Sequence, residues 1–325
     1  MSVATSIESG IAGPAEPFGV APGEADARIE GRSTWELAWA RLKRDRAAMI
    51  SLTVIIVIIL VAIFAPVFAA ITGHGADAQF RTTGMTPDGL PVAPGSRFVL
   101  GTDDQGRDLL VRIAYGARIS LLVGVVVTVL VVAVGAVLGL AAGYMGGLVD
   151  TIVARLIDVV LSLPYLLFAI SLVSINFLGG PGLPIIVFVI TVFSWAAIAR
   201  VVRGQVLSIR EKEYIEAARS LGSGSWRIMF VDILPNVVAQ LIVYATLLIP
   251  VVIVFEAALS FLGLGIPPPT PDWGQMISEA QQGGLYQQAW WFLVFPSAAL
   301  VITTLAFNIL GDGVRDALDP RLERL

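Results

Sequence analysis

The chain has 325 residues, 56% of them apolar and 14% charged, with a net charge of −4 and a mean hydropathy of +0.83. Soluble domains carry about 25% charge, so this composition excludes a disordered protein and speaks against an ordinary cytosolic enzyme; the long unbroken apolar runs exclude an outer-membrane barrel, whose strands alternate. With no Cys and a single His, His74, disulfides, thiolate metal sites and Ser–His triads have almost no material, and the acidic balance argues mildly against nucleic acid as a partner.

Residues 1–32, rich in Ala, Gly, Pro, Ser and Glu, read as a disordered tail. Ser33 and Glu36 then form a capping box, and Trp35, Ala38, Trp39 and Leu42 fall on one helical face. With Arg41, Lys43, Arg44 and Arg46 following, residues 33–47 predict a short amphipathic helix at the inner membrane surface, with Trp at headgroup level. The plainer alternative is a solvated cap to the first span.

About 20 apolar residues cross a bilayer as a helix. Six spans are predicted, at roughly 48–71, 119–143, 154–178, 184–203, 237–262 and 290–310. The third and fourth come from one long apolar stretch split at Gly179-Gly180-Pro181-Gly182-Leu183-Pro184. In lipid the backbone must satisfy itself, so the fold class is all-α and polytopic. The first run is not read as a signal peptide, because a polar stretch of some length precedes it. Sixteen Lys and Arg fall on one side and five on the other. That asymmetry predicts that both termini are cytoplasmic.

The outer loop, 72–117, contains Thr102-Asp103-Asp104-Gln105-Gly106-Arg107-Asp108. A calcium reading competes here with a turn held by Asp–Arg pairs. The spacing is not an EF-hand, there is no Glu at the twelfth position, and Arg107 supplies a rival cation, so no metal site is assigned. The inner segment, 204–236, is more informative. Tyr214, Ile215, Ala218 and Leu221 are expected to share one helical face. Glu211, Lys212, Glu216 and Arg219 point away, with Glu216 and Arg219 at i, i+3. Gly222 stops this helix, Ser225 is expected to cap the next, and that one runs to Pro235. A helix–turn–helix of this length exceeds what a connection needs and is shaped to seat in a partner's groove. Further on, Pro267, Pro268, Pro269 and Pro271 impose a stiff outer excursion, read as a docking surface or a gate.

Charges inside the spans are few. Arg155 and Asp158, at i, i+3, are expected to pair. Glu256 has no partner nearby in sequence and is the polar candidate for a translocation path, against the alternative of a bond to a neighbouring helix end. No Gly-x-x-x-x-Gly-Lys-Ser/Thr and no His-Glu-x-x-His occurs, so neither an ATP site nor a zinc-protease site is present. A carrier coupled to ions would need more midplane charge, or paired broken helices.

At this point the residues match a known family. Glu216-Ala217-Ala218, Gly222 and Leu234-Pro235 resemble the EAA motif of ABC importer permeases, with Asp232 where an Ile is usual. Three further stretches resemble the C-type subunit of dipeptide/oligopeptide permeases, a family that includes nickel importers. They are Gly101-Thr102-Asp103-Asp104-x-Gly106-Arg107-Asp108, Ala258 to Gly265 with Pro269-x-Pro271-x-Trp273-Gly274, and Asn308-x-x-Gly311-Asp312-Gly313-x-Arg315-Asp316-x-x-Asp319-Pro320-Arg321. The resemblance covers about residues 33–325. It implies the type I ABC importer permease fold in a bacterial cell membrane, and a cytoplasmic coupling helix with Tyr214, Glu216, Ala217, Ala218 and Gly222 at the contact. It also implies a partner set: a second, B-type permease, two ATP-binding cassette ATPase domains, an extracytoplasmic solute-binding protein and a peptide substrate. ATP and Mg would belong to the ATPases, leaving this chain without a cofactor and without catalytic residues. Nickel or a metal chelate is the alternative cargo, and an ion-coupled carrier the alternative class.

Overall fold

A computed structural model describes residues 34–175 and 177–319. The tail 1–32, Ser33 of the capping box, and Pro320 and Arg321 of the C-terminal motif lie outside the described residues. The elements in chain order are α1 (Thr34–Leu42), α2 (Arg46–Ile63), α3 (Ala65–Thr72), α4 (Leu109–Met145), α5 (Gly147–Ser162), α6 (Tyr165–Ser174), α7 (Leu183–Ile209), α8 (Glu213–Ser220), α9 (Ser225–Arg227), α10 (Leu234–Phe261), α11 (Trp273–Gln281) and α12 (Trp290–Leu318). Five helical stretches are long and apolar enough to cross a membrane, or six if the bent pair α5–α6 is one span. The chain is therefore an all-helical, multi-pass membrane protein.

Local chemistry sets the helix boundaries, and several differ from the sequence expectation. The second span begins at Leu109, not 119, because Asp108 caps it: its Oδ1 accepts from the amides of Leu110 (2.9 Å) and Val111 (3.4 Å). The first span is broken at Phe64 into α2 and α3, with Pro66 in the opening turn of α3. Arg118 of α4 reaches into the break and donates to the carbonyls of Ala62 (2.5 Å) and Ile63 (2.8 Å), which α2 leaves open at its end. The third span, read as one helix over 154–178, is two helices bent by 83°. Pro164 lacks an N–H and holds Leu163 in an extended conformation. The helix expected to stop at Pro235 does not stop. It passes through a π-helical turn, Ile228–Ile233, into α10. That turn accommodates the missing Pro235 N–H, and Asn236 Nδ2 donates to the Asp232 carbonyl at 2.7 Å.

The centre of the bundle is the pair α4–α7. Gly135, Gly139 and Gly143 form a stripe on α4 that lies against Ile198, Val202 and Val206 of α7. A Cβ on any of the three would come within 2.7 Å of those side chains, and within 3.0 Å of a backbone carbonyl of α7. Small residues at four-residue spacing let two backbones approach, which is how helices associate where lipid removes the hydrophobic drive. One core surrounds this pair and α10. A second joins α2, α4, α11 and α12. At one end of the bundle α1 packs on the end of α12, burying Ala38 and Leu42 against Ala317 while Trp35 and Trp39 stay exposed. The expected single face of α1 is thus divided between the protein and its surroundings. Helix α8 lies at this same end.

Candidate functional site

Helix α8 is eight residues long and ends in a Schellman motif. Gly222 takes φ +80°, the Ser223 amide donates to the Ala218 carbonyl (3.1 Å), and the Gly222 amide donates to that of Arg219 (2.9 Å). A side chain at Gly222 would meet no atom within 4 Å, so the left-handed backbone rather than crowding is what calls for glycine there. The face expected from sequence is split. Ile215 is fully buried and Ala218 half-buried against the bundle. Tyr214 and Leu221 point outward with Ala217 between them, and Leu221 is 87% exposed. Tyr214, Ala217 and Leu221 thus form a small apolar stripe that is exposed among the described residues, flanked by exposed Glu213 and Glu216.

Two charge pairs read from sequence spacing form differently. Arg219 does not hold Glu216. It lies over the Tyr144 ring of α4 at 5.0 Å, with Nε 3.4 Å from the hydroxyl, and so ties α8 to the end of α4. Arg210 supports the same end by donating to the Gly143 carbonyl at 3.0 Å. Asp158 does not pair with Arg155 but accepts from Arg200 of α7 at 2.8 Å. Asp150 is held by two bonds from Arg203. Ser225 opens its helix without capping it; Gly224 is the capping residue and supplies no side chain.

The opposite end is a polar layer built from residues 73–108 and from α11 with its flanks. Arg107 is buried at its centre. It donates to Asp103 (2.5 Å) and Glu279 (3.2 Å) and reaches Asp104 at 3.5 Å. Arg112 lies 3.2 Å from Asp103. The carboxylates of Asp103, Asp104 and Glu279 bring single oxygens within 4.8 Å of one another, and they are met by the guanidinium groups, by the backbone amides of Gln105 and Arg107 at Asp103, and by Gln275 Nε2 at Glu279. This is the turn of Asp–Arg pairs that the sequence set against calcium. Burial raises the Asp104 and Glu279 carboxyls above their ordinary values, and Arg107 opposes the shift at both. His74 Nδ1 sits 2.6 Å from the Asp108 carboxylate and its ring stacks on Phe98 at 4.8 Å. Thr102 Oγ1 donates to the Gly84 carbonyl (2.6 Å), and Trp291 Nε1 donates to that of Thr102 (3.2 Å), joining the layer to α12.

Glu256, the sequence candidate for the path, is fully buried between α4 and α10. Ser120 donates to one of its carboxylate oxygens (3.1 Å) and Ser260 to the other (3.2 Å). The buried Asp272 carboxyl is a charged neighbour of Glu256. Asp272 also caps α11 by accepting from the Gly274 amide at 3.0 Å. Burial raises the Asp272 carboxyl above its ordinary value. A carboxyl raised on folding contributes its full stability below its unfolded value, about 3.9, and loses it as pH rises through the folded value. Asp272→Asn keeps the cap and removes the charge. It is expected to flatten the fall in melting temperature of the detergent-solubilised protein as pH rises from about 3.9. An unchanged slope would mean that Asp272 titrates as a free carboxyl.

A bundle of apolar membrane-length helices with a polar layer at one end and a small amphipathic helix presented at the other is the architecture of a membrane transport permease. Residues 135–324 match the family model described as a binding-protein-dependent transport system inner membrane component. Residues 33–83 match that of the N-terminal TM domain of oligopeptide transport permease C. The chain is 44% identical to the Salmonella typhimurium oligopeptide transport system permease protein OppC, covering 90% of this chain and 93% of that one. It is 40% identical to the Pseudomonas aeruginosa di/tripeptide transport system permease protein DppC, over 88% and 91%. It is 41% identical to the Bacillus subtilis dipeptide transport system permease protein DppC, over 88% and 86%. The chain belongs to the DppC/OppC family of permeases of binding-protein-dependent transport systems.

Proposed function

We propose that this chain is the C-type permease subunit of an ATP-driven importer for di- or oligopeptides, seated in the bacterial inner membrane with both termini in the cytoplasm. The relatives named above are peptide permeases, which favours peptide over nickel as cargo. With a second, B-type permease it forms the path. A solute-binding protein delivers peptide to the polar layer, and two ATPase domains bind ATP and Mg and carry out hydrolysis. The observation that carries the reading of the inner end is the apolar stripe Tyr214–Ala217–Leu221 on α8, rimmed by acidic residues and exposed among the described residues. A helix of this kind suits a groove on a partner. The Schellman turn at Gly222 and the Arg219–Tyr144 contact fix α8 to α4, so a push on α8 moves the bundle as a body.

The test is a pull-down of the tagged, gently solubilised chain, with ATPase activity measured on what co-elutes. A second permease and Walker-motif ATPases are expected, with activity stimulated by binding protein plus peptide. Glu216→Lys and Gly222→Pro are expected to stop uptake while the two permeases still co-elute. Normal uptake in both variants would remove α8 from the coupling. Uptake by the chain alone in liposomes, driven by an ion gradient, would replace this reading with an ion-coupled carrier.

A further inference from the structure

The break between α5 and α6 borders a cavity of about 230 Å³. Non-helical backbone at membrane depth is tolerated only where protein or a water-filled path covers it. At this break Pro164 brings no N–H to the carbonyls of α5, no side chain caps α6, and the two helices diverge by 83°. The break therefore belongs beside a partner subunit or a water-filled path and not against lipid. Three elements each contribute one ring to the cavity wall: Tyr165 from α6, Phe193 from α7 and Phe255 from α10. Tyr165 meets Phe255 edge-on at 4.5 Å and Phe193 at 6.2 Å. Leu163, Ile190 and Ser194 help complete the wall, which carries no charged side chain.

We propose that this cavity is a side-chain subsite of the translocation path, receiving one apolar or aromatic side chain of a peptide as it passes. The inference rests on the peptide-importer reading above. Size selects the occupant. Sites for whole small molecules begin at about 300 Å³, so this one holds a side chain and leaves the peptide backbone in the path. Ring faces favour flat apolar groups. The uncharged wall holds them without an ion pair that would arrest passage.

The experiment uses the complete importer in proteoliposomes with its binding protein. Uptake of dialanine is compared with uptake of alanyl-phenylalanine, each as a ratio to wild type, so that the preference of the binding protein cancels. Ser194→Phe fills the cavity. It is expected to lower kcat/KM for the phenylalanine peptide roughly tenfold relative to dialanine. An unchanged ratio, or an equal fall for both peptides, would overturn the subsite. Loss of the second permease from the complex would assign the cavity to that partner and overturn it as well. Should Ser194→Phe stop all uptake, Phe193→Ala decides. By removing one of the three rings it is expected to lower the ratio for the phenylalanine peptide as well, and an unchanged ratio refutes the proposal. If wild type takes up neither peptide, the importer reading itself fails and the subsite falls with it.

Discussion

Gly139→Leu is expected to remove the chain from the membrane and abolish uptake, without touching any residue of α8 or of the polar layer. The reason is geometric. A Cβ at Gly139 lies 2.7 Å from Val202 Cβ and 2.8 Å from the Ala199 carbonyl oxygen of α7. A carbonyl in a helix cannot swing aside, so the two helices must separate. Separation unseats Gly135 and Gly143 as well, since all three glycines lie in one seam. Overpacking costs about 1–3 kcal/mol at one well-packed site, and here it spreads along the whole α4–α7 contact. Gly139→Ala should fall between wild type and Gly139→Leu. Gly204→Ala is the control, because a Cβ there meets nothing within 4 Å. Quantifying the chain in washed membranes beside peptide uptake checks this. Wild-type abundance of Gly139→Leu would show that α4 and α7 are not locked by that seam.

That seam also marks the reach of sequence reading. Hydropathy located the spans because each is a long apolar run, and it located them whatever they pack against. It carried no information on which face of a span meets another helix. The glycines at 135, 139 and 143 were a visible signal, at the four-residue spacing of close helix pairs, but the whole stretch is apolar and the period is lost in the run. Pro164 was equally visible, and a window average does not register a single missing N–H. Asp108 could have been read as a cap two residues ahead of Leu110. It was hidden by Arg112 and Arg118, which look like loop residues until their partners at Asp103, Ala62 and Ile63 are in place. The pairs drawn from i, i+3 spacing failed for a related reason. Arg219 and Asp158 have tertiary partners, Tyr144 and Arg200, that lie far from them in the chain. Glu256 looked alone because Ser120 and Asp272 are distant in the chain.

Arg107→Gln is the second variant with a large expected effect, and it acts at the other end of the bundle. The guanidinium is 2% exposed and bonds to Asp103 and Glu279, with Asp104 beside it. Its removal leaves three carboxylates facing one another, with Arg112 the cation that still meets Asp103. Breaking a buried pair from one side costs about 3–5 kcal/mol, because the charge left behind has lost both water and partner. For a chain of this size that corresponds to a fall in melting temperature of roughly 4–7 °C. The damage should be local at first. The segment 73–108 is held to the bundle by this cluster and by the Trp291–Thr102 bond, so limited proteolysis ought to cut there before it cuts α4 or α12. Glu279→Gln separates the stranded charge from lost packing. In the double variant Gln275 faces a neutral amide, Asp103 keeps Arg112, and one unpaired carboxylate is gone. The double variant is therefore expected to recover about half of the stability lost by Arg107→Gln alone, a coupling that the thermodynamic cycle reads directly. Strict additivity of the two changes would mean that Arg107 acts through its stem packing and not through its charge.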